Sequence, residues 1–185
     1  MKNKIVKTSK FLSFILRHRP EKINLTLDEN GWADIDELIQ KANQARVTMD
    51  KQLLLEVVKT NDKKRFELSE DGLRIRASQG HSIPVNLNIE PQTPLELLYH
   101  GTAYRFLQSI RTHGLLPRNR THVHLSPDVK TAITVGSRHG EPVVLTIQAG
   151  HMFNDGYNFY LSANGIWLTE KVPVDYIRFP GYCLF

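Results

Sequence analysis

The prolines between residues 83 and 94 constrain this chain more than any other feature. Pro84, Pro91 and Pro94 share that stretch with Asn86 and Asn88, and no helical spacing runs through it. A proline fixes its own φ, lacks a backbone donor and restricts the residue before it, so neither a regular helix nor a central strand continues across. Residues 83–94 therefore read as a linker, and the rhythm of the chain changes there.

Before the linker the pattern is helical and then extended. Apolar residues at 5, 11, 12, 15 and 16 form one stripe over Lys4 to Leu16, which Pro20 ends. Asp28-Glu29-Asn30-Gly31 is turn chemistry, and Trp32 begins a short extended piece. Asp34 is a candidate cap for a helix ending near Asn43. Thr48 is the candidate cap for the next, which turns Leu53, Leu54, Val57 and Val58 inward. Arg65–Leu68 and Leu73–Ala77 alternate as strands around Ser69-Glu70-Asp71-Gly72. That order predicts a winged-helix module over residues 1–82.

Beyond the linker, residues 95–185 predict a mixed lobe. Leu97–His100 reads as a strand, Thr102–His113 as a helix stopped by Gly114, and His122–Leu125 as a strand. Pro127 suits the first turn of a helix reaching Gly136, and Val143–Ile147 is a buried strand. Phe159–Leu161, Gly165–Thr169 and Tyr176–Phe179 supply further strands. The whole is an α+β chain.

The net charge of +5 is spread over both halves, +3 in residues 1–90 and +2 in residues 91–185. That excess permits a nucleic-acid partner without requiring one. No apolar run nears the roughly 18 residues a membrane span needs. Lys7-Thr8-Ser9-Lys10 interrupts any signal-peptide core. The single Cys183 rules out an internal disulfide and a cysteine-rich zinc site, and near the tail it reads as inert packing. The expectation is a cytoplasmic monomer that spans no membrane.

The residues with chemical potential are scattered. Arg17-His18 ends the first helix, where freed carbonyls favour positive charge; a basic cap and an anion site are both open. Arg65 follows Lys63-Lys64, so a solvated charge cluster competes with a ligand role. Gln79-Gly80-His81-Ser82 is a turn, or a loop whose backbone approaches a ligand. Tyr99-His100-Gly101-Thr102 puts an imidazole and a hydroxyl where a strand should enter a helix, a place that favours anions. His122 and His124 share a strand face, but no third ligand has a metal-site spacing. Neither a Gly-x-Gly-x-x-Gly nor a phosphate-loop motif occurs.

Together these strings resemble the RNA 2'-phosphotransferase (KptA) family along nearly the whole chain. The likeness rests on Ser9-Lys10-Phe11-Leu12-Ser13-Phe14 with Leu16-Arg17-His18, Gly31-Trp32-Ala33-Asp34-Ile35 and Asp62-Lys63-Lys64-Arg65-Phe66. It continues through Ile75-Arg76-Ala77 with Gln79-Gly80-His81-Ser82, Tyr99-His100-Gly101-Thr102 and Val123-His124-Leu125-Ser126. Arg138-His139-Gly140 and Asn164-Gly165-Ile166-Trp167-Leu168-Thr169 complete it.

The resemblance implies a winged-helix lobe and an ADP-ribosyltransferase-like lobe with the active site between them. It implies NAD+ consumed as co-substrate, no metal, and an RNA partner bearing an internal 2'-phosphate. It assigns Arg17, His18, Arg65 and Arg120 to catalysis, with Arg118 the competitor for the last place. It assigns His100, Gly101, Thr102, His124, Ser126 and Arg138 to NAD+, and Gln79 and His81 to RNA. The glutamate of many protein-modifying relatives is replaced near Gly165-Ile166-Trp167-Leu168 by an apolar residue, with Glu170 close by. Two other readings compete. One is an ADP-ribosyltransferase that stops at nucleic-acid terminal phosphates or a protein. The other is a non-catalytic winged-helix regulator, which leaves His100 and His124 without work.

Overall fold

The computed structural model describes residues 2–181, so Cys183 lies outside the described residues. The chain divides into two compact units, Met1–Asn88 and Ile89–Phe185, each with its own apolar core. Among the described residues no helix is long and apolar enough to cross a membrane.

In the first unit, α1 (Lys2–Arg17) buries Leu12, Ile15 and Leu16, with Ile5 and Phe11 at the margin of the same core. These are the residues of the predicted stripe. Strand β1 (Ala33–Asp34) follows a turn in which the Asp28 carboxylate accepts from the amides of Asn30 and Trp32, with Gly31 at φ +79°. Asp34 then caps α2 (Ile35–Gln44) by accepting from the Glu37 amide at 2.8 Å. Helix α3 (Lys51–Lys59) is capped by Asp50, not Thr48; its carboxylate accepts from the Leu53 amide at 2.7 Å. The reason lies at Met49. It is 3% exposed and exchanges two hydrogen bonds with the Asn43 side chain, which holds the chain extended until Asp50.

Strands β2 (Phe66–Leu68) and β3 (Arg74–Ala77) form an antiparallel hairpin, and β3 also pairs with β1, giving the order β1-β3-β2. On this sheet Arg76 stacks over Trp32, 4.5 Å from the ring centroid, and pairs with Glu67 at 2.9 Å. Part of the predicted linker belongs to this unit. The Asn86 amide donates to the Glu29 carbonyl, and Arg76 donates to the Leu87 carbonyl.

The second unit holds two three-stranded antiparallel sheets. One has the order β4 (Leu98–Ala103), β6 (Pro142–Ile147), β9 (Ile177–Arg178). The other has the order β5 (Val123–Leu125), β8 (Trp167–Thr169), β7 (Tyr160–Leu161). Reciprocal backbone bonds between Tyr99 and Ser126 join β4 to β5. The core gathers Leu98, Leu125, Leu145, Ile147, Met152 and Phe159.

Two sequence expectations fail here. Thr102 does not open a helix: β4 runs on to Ala103, paired in register with Pro142, and only a 3-10 turn separates it from α4 (Leu107–His113). Pairing along the whole of β6 outweighs local helical preference. Likewise Asp128, not Pro127, starts α5 (Val129–Gly136), accepting from the Thr131 amide at 2.7 Å. The short α6 (Ala149–Asn154) had no sequence signal of its own.

Helix α5 lies against β4 backbone to backbone. A Cβ on Gly101 would sit 1.7 Å from the Ala132 carbonyl oxygen, and one on Gly136 would sit 2.6 Å from that of Thr102. Gly101 is therefore demanded by helix packing, whatever a ligand requires of it.

Candidate active site

The segment following β3 organises the cationic residues of the first unit. The Ser78 amide donates to the Arg65 carbonyl at 2.9 Å, extending the hairpin by one step beyond Phe66–Ala77. Arg65 is thereby fixed at the open end of the hairpin, its guanidinium 3.5 Å from the Asn61 side-chain oxygen. Two residues on, Gly80 turns at φ +87°. A Cβ there would lie within 4 Å of the Arg17 guanidinium, so the chain passes directly beneath that side chain.

Ser82 closes the arrangement. Its amide donates to the Arg17 carbonyl at 2.9 Å, and its hydroxyl lies 2.9 Å from Nδ1 of His18. The carbonyl freed at the end of α1 is thus taken by Ser82. Residues 78–82 bring Arg17, His18 and Arg65, which the resemblance assigns together to catalysis, onto one support.

His81 lies inside this support. It is 1% exposed, and Nε2 has no hydrogen-bond partner among the described residues. Burial, then the charges of Arg17, His18 and Arg76, lower its pKa to about 4. The ring is neutral at pH 7 and faces inward, and Gln79 beside it is half-buried.

In the second unit His100 stands on β4 with Nδ1 3.0 Å from the His124 carbonyl oxygen. A carbonyl only accepts, so Nδ1 carries the proton and Nε2 of the neutral ring is left as an acceptor. Burial lowers the His100 pKa; the bond to His124 opposes this, and the charges of Arg120 and His139 reinforce it. Arg120, in the loop before β5, has its own pKa lowered by burial and by Arg138. His100, Arg120, Arg138 and His139 therefore share one electrostatic neighbourhood. Nothing in the sequence singles out His139 except its place in Arg138-His139-Gly140.

Thr102 and Ser126 are each 6% exposed, and His124 is half-buried on β5. Opposite His124 in the ladder stands Leu168, 2% exposed. Glu170 lies beyond the end of β8, exposed, where its charge acts on His122. The rung facing His124 thus presents an apolar side chain. Among the described residues no three His, Cys, Asp or Glu side chains are grouped to hold a metal ion.

The sequence model of the family described as "RNA 2'-phosphotransferase, Tpt1 / KptA family" matches residues 3–171. A probable RNA 2'-phosphotransferase of Flavobacterium johnsoniae is 57% identical over 171 residues, covering 92% of this chain and 94% of the relative. That of Acaryochloris marina is 57% identical over 176 residues, covering 95% and 97%. That of Streptomyces coelicolor is 54% identical over 176 residues, covering 95% and 96%.

Proposed function

The chain belongs to the RNA 2'-phosphotransferase family, and we propose that it removes an internal 2'-phosphate from RNA with NAD+ as co-substrate. In this reading the first unit is a winged-helix module and the second carries an ADP-ribosyltransferase-like fold. The RNA 2'-phosphate attacks the ribose carbon that bears nicotinamide, and nicotinamide departs. The 2''-hydroxyl of the attached ADP-ribose then attacks phosphorus, and the P–O bond to the RNA breaks. The products are RNA with a free 2'-hydroxyl and ADP-ribose 1'',2''-cyclic phosphate.

The residue chemistry suits those steps. A 2'-phosphate is already an anionic nucleophile, so the first step needs positioning more than a base. Arg17, Arg65 and Arg120 hold the phosphate oxygens through charge-assisted forks and offset charge as the phosphorus is attacked. His18 is the one member of that quartet able to transfer protons near neutrality, and it serves the second step.

The second unit has the donors and acceptors a dinucleotide calls for. Nε2 of His100 accepts from a ribose hydroxyl, Arg138 offers a fork to the pyrophosphate, and Thr102, His124 and Ser126 line the remaining polar contacts. Gln79 and His81 act on the RNA side, His81 through the backbone it supports. The observation that carries the reading is the gathering of Arg17, His18 and Arg65 on residues 78–82.

The test is incubation of the protein with an RNA bearing one internal 2'-phosphate, with and without NAD+. NAD+-dependent loss of that phosphate, with the cyclic product, is expected. Stable ADP-ribosylated RNA would instead mean a transferase that stops after the first step, and no reaction would overturn the assignment.

A further inference from the structure

We infer that the exposed face of α1 is the track on which the RNA strand beside the 2'-phosphate lies; this rests on the RNA substrate proposed above. Lys7 and Lys10 meet backbone phosphates, and the Phe14 ring stacks on a base.

The sixteen residues of α1 contain no aspartate or glutamate. Residues three or four apart on a helix share a face, and Lys7, Lys10, Phe14 and Arg17 follow that spacing. Lys7, Lys10 and Phe14 are exposed, Phe14 by 45%, on the side away from Leu12, Ile15 and Leu16, which enter the core. The stripe climbs about 15 Å from Lys7 to Arg17, at roughly 1.5 Å per residue. It ends on the pair proposed to engage the 2'-phosphate. The Phe14 carbonyl accepts from the amides of His18 and Arg19, each at 3.1 Å, so its backbone is tied to that of His18.

A solvated helix face is the plainer account of exposed lysines, and α2 shows what one looks like in this chain. Helix α2 has Asp36 and Glu37 in its first turn and pairs Glu37 with Lys41 one turn on. Both features favour the helix by itself. Helix α1 has neither. Its first turn holds no acid, and among the described residues the side chains of Lys7 and Lys10 make no ion pair or hydrogen bond. Like charges along one face, and cations near the positive end of the dipole, both disfavour the helix. An anionic partner offsets both.

A membrane surface does not fit. A helix lying in a bilayer interface sinks its apolar face there, and α1 buries that face in the protein core. A single strand of RNA does fit. Lysine is a point charge on a flexible stem, which suits phosphates of variable spacing, and an exposed aromatic ring stacks on any base.

The test measures binding of the full chain, without NAD+, to two RNAs that each carry one internal 2'-phosphate. One has long single-stranded flanks; the other is cut back to the phosphorylated nucleotide and its neighbours. The parent should bind the long RNA more tightly. Phe14→Ala and Phe14→Leu should weaken that binding roughly five- to a hundredfold, and Phe14→Tyr should keep it. Lys7→Gln combined with Lys10→Gln should make the slope of log K against log salt less negative by about 1.4, at roughly 0.7 per phosphate contact. Lys130→Gln, an exposed control on α5, should leave the slope as in the parent.

Equal binding of the two RNAs by the parent, parent-like binding by Phe14→Leu, or a slope unmoved by the lysine pair would overturn the inference. So would a Lys130→Gln slope shifted as much per charge, the mark of net charge alone. Binding needs no turnover, so the two readings fail separately. If NAD+-dependent loss of the phosphate holds and these changes are absent, only the track falls; in the reverse case only the reaction falls.

Discussion

His81 is buried among Arg17, His18 and Arg76, and burial followed by those charges brings its pKa to about 4. In the unfolded chain a histidine titrates near 6.5, so between these values the unfolded state binds a proton that the folded state refuses. The stabilisation is therefore complete above about pH 6.5 and is lost as pH falls toward 4, about 3 kcal/mol in all. Urea unfolding from pH 7 to pH 4 should show that loss in the parent and a smaller one in His81→Asn; parallel curves would contradict it. The sequence offered His81 in a turn or a ligand-approaching loop, and the resemblance gave it to RNA; its burial was not legible, because that is set by α1 and Gly31, far away in the chain. If Arg65 holds the phosphate as proposed, Arg65→Ala should lower kcat/KM for 2'-phosphorylated RNA roughly 10- to 100-fold, the worth of charge-assisted hydrogen bonds. His18→Ala should instead accumulate ADP-ribosylated RNA, visible as a slower-migrating band. If His18→Ala slowed only the attack on NAD+, its role would lie in the first step.

Among the elements, the tightest constraint is the seam between β4 and α5. Gly101→Ala would drive a methyl into the Ala132 carbonyl, and overpacking of that kind costs about 3 kcal/mol or more. Gly165→Ala is the control. Its site is open, and only its φ of +77° is penalised, by about 1–2 kcal/mol. Denaturant midpoints of the two variants should fall in that order, and the reverse would mean the seam relaxes. The sequence placed this glycine in Tyr99-His100-Gly101-Thr102 but not what packs against it, since α5 begins about thirty residues later. Helices and strands with clean periodicity, α1 and β6 above all, were legible because their burial follows a single repeat. Boundaries were less so: Asp50 displaced Thr48, and Asp128 displaced Pro127, because neighbouring residues compete for one cap and the core decides.

Across the whole molecule, charge is dilute: +5 over 185 residues, shared by both halves. RNA should therefore be held by few phosphate contacts. For single-stranded RNA the slope of log K against log salt should be shallower than about −3, on the order of −0.7 per phosphate contacted. Filter binding across potassium chloride concentrations measures it, and a slope near −6 would require a broad basic footprint. Proline excludes regular structure wherever it falls, and Pro84 and Pro91 stand on either side of the boundary at Asn88. The resemblance put Arg17, His18 and Arg65 in one site, but the hydrogen bonds from Ser78 and Ser82 that support them carry no local sequence signal. Sheet connectivity also sets an order in time. Everything the first unit pairs lies before Asn88, whereas the second needs β9, at Ile177–Arg178, to complete its first sheet. At roughly 5–20 residues per second on a ribosome, the first unit has on the order of 5–20 s to close its core before β9 is synthesised. Every residue of the arginine–histidine support is thus synthesised before the second unit begins.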